Sequence, residues 1–243
     1  MAEMTQVEGA PRALGLLSRI VGIVLSPRET FASVAAHPKV FGVLAFITIV
    51  GCVTIGGFLL TGVGQQAWLD QQVSQSQDWG RDVSDEQFAQ MEKIAPRVGY
   101  ITIGIMLLAI PIMTLITAGI LYAVFNAAMG GRASFKQLLA VVAHAGVISA
   151  LGWIFVMPLN YLRETMSSPT NLAALAPGLD EGSFIVHLLG TVDLFLIWWV
   201  IVLGIGLAVL YRRRTQPIVI SLLAVYAVIA LIIAGAKSAM GGS

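Results

Sequence analysis

The chain has 243 residues, 57% of them hydrophobic and only 11% charged, with 14 basic against 13 acidic side chains. A typical soluble domain carries about 25% charged residues, so a soluble core is excluded, and the near-neutral balance leaves no basic stripe for nucleic acid. A single cysteine, Cys52, lies in an apolar run and supplies neither a disulfide framework nor a paired-cysteine metal motif.

In chain order, residues 1–11 are small and polar and read as a disordered N-terminus. Residues 12–37 read as two cytosolic interfacial helices. In the first, Arg12, Gly15, Arg19 and Gly22 share one face and Leu16, Leu17, Ile20, Val21 and Val24 the other. That pattern predicts an amphipathic helix lying in the interface with its basic side toward lipid headgroups. Ser26-Pro27-Arg28-Glu29 then starts the second, with Ser26 as cap, Pro27 at the first helical position and Glu29 completing a capping box. His37-Pro38 ends it.

Residues 38–243 read as a transmembrane domain of five spans, at about 40–60, 98–127, 138–159, 184–211 and 218–236, each long enough for a bilayer core that needs about 20 apolar residues. In the first, Cys52 and Gly56 are four apart and permit close helix packing. The stretch from Gly64 to Arg97 is a Gln-rich, acidic loop in which Ser84 to Gln87 forms a capping box for a short amphipathic helix ended by Pro96. Pro111 predicts a kink in the second span, with Thr114 and Thr117 placed to satisfy backbone groups. Gly130 to Gln137 is a short basic turn, and Asn160 to Ser183 a polar loop. The fold class is therefore all-α, a polytopic integral membrane protein whose five helices form one bundle beside an N-terminal amphipathic helix.

Arg212, Arg213 and Arg214 fix the orientation, because short loops rich in Lys and Arg stay in the cytoplasm. With the N-terminus inside, nine basic residues fall on inner segments and five on outer ones. The N-terminus is thus expected in the cytoplasm and the C-terminus outside.

Two polar side chains within the spans are candidates for chemistry, Asp193 and His144. An acid in hydrocarbon is expensive and is by default a functional hypothesis. Placed at similar depth, the pair would relay protons or bind a cation; the alternative is that Asp193 is hydrogen-bonded to a neighbour and specifies packing. No His-Glu-x-x-His, Gly-x-Ser-x-Gly or phosphate loop occurs, so no enzyme, cofactor or metal site is expected.

Three motifs occur in order. They are Leu25-Ser26-Pro27-Arg28-Glu29-Thr30-Phe31, then Gly130-Gly131 with Ser134-Phe135-Lys136-Gln137, then Val192-Asp193-Leu194-Phe195 with Trp198. The chain from Ser26 to the fifth span resembles the prokaryotic branch of the Yip-one domain family. The resemblance implies a five-helix membrane domain with a cytosolic N-terminus, and partners in the lipid bilayer and among other membrane proteins, an ABC exporter or further copies of the chain included. The expected function is that of a non-enzymatic scaffold, adaptor or assembly factor for membrane proteins, or a protein that shapes the bilayer. The alternative is a small transporter or channel component that uses Asp193 and His144. A prokaryotic cytoplasmic membrane is the expected location.

Overall fold

A computed structural model describes residues 13–176, 178 and 183–241, so the expected disordered stretch 1–11 lies outside the described residues. Helices make up the regular structure among them. They are α1 (Leu16–Leu25), α2 (Pro27–Ala36), α3 (Phe41–Leu59), α4 (Gly62–Asp78), α5 (Asp85–Ile94), α6 (Val98–Tyr122), α7 (Phe135–Arg163), α8 (Phe184–Thr191), α9 (Leu194–Leu210) and α10 (Thr215–Gly241). One isolated antiparallel bridge joins Asn171 to Asp193.

Among the described residues, four helical stretches are long and apolar enough to cross a membrane: Phe41–Leu59, Asp85–Ala128, Phe135–Arg163 and Thr215–Met240. The last of the expected spans to be accounted for, 184–211, is not one helix. It breaks at Val192 and Asp193, both extended, into an 8-residue α8 and a 17-residue α9. At 1.5 Å per residue α9 is roughly 26 Å long, at the lower limit for a crossing.

Helix α7 is the centre. Over half of its apolar stretch (56%) is buried, against 39% in α3, 17% in α10 and 6% in α6. Leu138, Val141, Val147 and Ile148 of α7 pack with Phe31 and Val34 of α2, Val43 and Ile47 of α3, and Leu203 and Leu207 of α9. The packing is close because small residues sit at the crossings. A Cβ built on Gly152 of α7 would stand 3.0 Å from the Phe195 ring, and one on Gly206 of α9 would stand 2.6 Å from Val141. In α3, Gly56 abuts Ile103 of α6 and Cys52 Sγ lies 3.9 Å from the Ile103 carbonyl, the close approach that their spacing predicts.

Local chemistry accounts for the helix ends. Ser84 and Gln87 form the predicted capping box at α5. A second box, Ser134 with Gln137, starts α7 where a basic turn is expected. Helix α6 runs through Pro111 without a break, and the Thr114 hydroxyl donates to the Ile110 carbonyl at 2.7 Å.

Three expectations are corrected. Ser26 caps α2 with no side-chain hydrogen bond, so its capping box with Glu29 is not formed; Ser26 instead terminates α1, and its carbonyl accepts from the Thr30 hydroxyl. The stretch after the first span is not a loop but carries α4, capped by Thr61. Helix α1 is also turned over: Arg19 points inward and is 2% exposed, while Leu17 and Leu25 are about three-quarters exposed. Arg19 turns inward because it finds carbonyl partners inside the protein; Arg12, the other basic residue of the expected face, lies outside the described residues.

Candidate functional site

The three motifs, separate in sequence, gather at the two ends of one helix pair, α7 and α9. These run antiparallel, since Val141 meets Gly206 and Gly152 meets Phe195.

At one end stand α2, the start of α7 and the end of α9. Phe31 of α2 is fully buried, its ring against Gly206. Gln137, having closed its capping box, donates from Nε2 to the Ala35 carbonyl at 3.0 Å and so ties α7 to α2. A π-helical turn, Ala123–Ala128, carries α6 onward and presents Asn126. Asn126 Nδ2 donates to the Ala133 carbonyl at 2.7 Å, and its Oδ1 accepts from the Tyr211 hydroxyl at 2.8 Å. Tyr211 stacks on Phe125 and lies over Gly131, where a side chain would collide with its ring. Phe135 meets Tyr122 edge to face. Arg28, Arg212, Arg213 and Arg214 are exposed around this network, and Glu29 is exposed beside Arg28.

Beside it, Arg19 closes α1 onto the bundle. Its Nε donates to the Leu14 carbonyl at 3.0 Å and its Nη2 to the His37 carbonyl at 3.1 Å. Burial lowers the guanidinium pKa from its ordinary value. His144 is 1% exposed and donates from Nδ1 to the Ala140 carbonyl at 2.7 Å. Arg19 Nη1 and His144 Nε2 are buried with no hydrogen-bond partner among the described residues.

At the other end Asp193 is the cap of α9. Its Oδ1 accepts from the backbone N–H of Phe195 at 2.8 Å and of Leu196 at 3.3 Å. Its Oδ2 accepts from the hydroxyls of Ser168 at 2.7 Å and Thr170 at 2.6 Å. The Tyr226 hydroxyl of α10 accepts from Asp193 N at 3.3 Å and donates to the Thr191 carbonyl at 2.7 Å. The helix break is thus stitched to the 168–170 turn and to α10. Phe195 packs against Phe155 and Trp198.

Asp193 and His144 are not brought together. Asp193 lies two residues before the Gly152 crossing and His144 eight residues from it on the opposite chain direction, which separates them by roughly 15 Å along the axis. The sequence expectation of similar depth fails because Asp193 begins a helix rather than interrupting one. The partners that sequence reasoning missed are Ser168, Thr170 and Tyr226 around Asp193, and Asn126 and Tyr211 at the other end. Only the Ser-x-x-Gln spacing at Ser134 carried a visible signal, for the capping box. Among the described residues no group of three or more His, Cys, Asp or Glu is placed to hold a metal ion.

The chain is similar to the membrane protein YknW of Bacillus subtilis (strain 168), 28% identical over 197 residues that cover 77% of this chain and 76% of the relative. No solved structure matches. The Yip1 domain matches residues 21–236, a stretch that holds α2 to α9 and all but the last residues of α10, and the chain belongs to the Yip1 domain family.

Proposed function

We propose that this chain is a non-enzymatic integral membrane protein that holds other membrane proteins, as a scaffold, adaptor or assembly factor. The observation that carries the reading is how little of α6 and α10 the fold buries, 6% and 17% of their apolar stretches. These two spans turn most of their surface outward. On α6, Gly104 and Gly119 have nothing within 4 Å of where a Cβ would stand, and at 15 residues apart they fall within about 60° of each other around the helix. Small residues on an outward face let a second helix approach closely, and such faces drive association in membranes. In this reading α9 is the remaining, short crossing, the N-terminus is cytoplasmic and the C-terminus outside. An exporter permease is one partner class to be expected.

Affinity purification of the full chain from native membrane without detergent, followed by mass spectrometry, tests the reading. Reproducible recovery of one membrane complex is expected. The double substitution Gly104→Leu with Gly119→Leu should abolish that recovery while leaving thermal stability unchanged, since no neighbour within the protein is displaced. Purification of the chain with nothing bound, or recovery insensitive to both glycines, would overturn it.

A further inference from the structure

Two grooves flank the turn that joins α9 to α10, and Arg212 and Arg213 line both. The larger, about 690 Å³, runs between the end of α6 and the start of α10. Phe125 and Met129 form one wall, Ser221 and Val225 the other, and Arg214 joins at the mouth. The smaller, about 370 Å³, adds Arg28 from α2. No acidic side chain lines either groove. All four arginines are exposed, and none is in an ion pair among the described residues. Arg213 Nη2 reaches the Met129 carbonyl at 3.4 Å, which holds that side chain at the groove rim.

Arg212 stands out further. Its φ is +52°, the left-handed conformation in which a helix commonly ends on glycine because a Cβ is unwelcome there. An arginine held in it keeps a guanidinium beside both grooves despite the strain, and non-glycine residues in such conformations cluster at ligand clamps.

We propose that this end of the protein binds one anionic phospholipid, with the phosphate on Arg212 and Arg213 and an acyl chain in the groove between α6 and α10. The apolar walls call for hydrocarbon, and guanidinium groups match phosphate with paired hydrogen bonds. The two chemistries adjoin here as they do in a phospholipid and do not in a soluble anion. Both walls belong to helices long and apolar enough to lie in a bilayer, so the groove opens where lipid is, and basic pockets between membrane helices recognise anionic headgroups. The inference stands apart from the adaptor reading, because neither Gly104 nor Gly119 lines the groove.

The test is native mass spectrometry of the full chain in detergent, with phosphatidylglycerol and phosphatidylcholine of matched chains added in equal amounts. The wild type should retain one phosphatidylglycerol in clear preference. Arg212→Gln with Arg213→Gln should lower that retention roughly fivefold per arginine. Ser221→Trp or Val225→Trp, each filling the groove from an outward-facing position that leaves the core untouched, should lower it with the arginines intact. Excess inorganic phosphate should leave the lipid bound, because the acyl chain stays in its groove. Equal retention of the two lipids, preference that survives loss of the arginines, or indifference to both groove substitutions would overturn the proposal. Displacement by inorganic phosphate would make this a phosphate site instead, and a groove-dependent dimer without lipid would make it a self-association face; either outcome also overturns it.

Discussion

Asp193 decides whether the helix pair α8–α9 is a broken span or a continuous one. Four donors converge on its carboxylate, so its role is that of a cap that also holds a turn from another part of the chain. Replacement by asparagine keeps the backbone acceptor and lets the Ser168 and Thr170 hydroxyls rotate to accept from the new amide. Asp193→Asn should therefore cost about 1 kcal/mol, whereas Asp193→Ala removes the cap and strands two hydroxyls, for about 2–4 kcal/mol. Thermal unfolding of the purified variants in one detergent reads the difference. A larger loss for the asparagine variant than for alanine would mean that the negative charge itself is needed. In sequence this residue reads as an acid inside a membrane helix, because a capping Asp between two mainly apolar runs, Phe184 to Val192 and Leu194 to Leu210, has no turn signal beside it to announce a helix start. Arg19 misleads for the opposite reason: its helical position is clear, but which way the face turns depends on carbonyls at Leu14 and His37 that periodicity does not place.

Among the elements, the apolar runs were legible to within a few residues, since length and hydrophobicity alone define them. Their junctions were not. The Ser134–Gln137 box and the Gln-rich α4 read as turn and loop because polar composition outweighs weak local helix signals there. One close contact between elements is at Gly206, which admits both Phe31 and Val141. Gly206→Leu would drive a side chain into a filled core and should destabilise by about 1–3 kcal/mol or more. Gly235→Leu on α10, where nothing lies within 4 Å, should be neutral in the same unfolding assay. Equal effects at the two positions would mean that α2 is not seated on α9.

For the molecule as a whole, Arg28 shares a groove with Arg212 and Arg213, and Arg213 reaches Met129, at the end expected to face the cytoplasm. Across the molecule, Lys237 pairs with Asp78 at 2.6 Å, two residues both expected outside. With Cys52→Ala as background, a cysteine at Arg28 should resist a membrane-impermeant thiol reagent in intact cells, and one at Ser238 should react. The reverse pattern would invert the topology while leaving the fold intact. The Lys237–Asp78 pair is partly exposed, so its removal should change stability by less than about 1 kcal/mol.

The seat of Phe31 has a consequence for how the chain is made. Its ring rests on Gly206, which leaves the ribosome 175 residues later, so the seat of α2 is complete only once the helix carrying that glycine has been delivered. Helix α7 can receive α2 first, through Gln137 and Val141, and the pocket around Phe31 stays open on the side of α9 until that helix follows. The segment translated earliest is thus among the last to be fully seated, and a chain truncated before Gly206 should leave it open to protease.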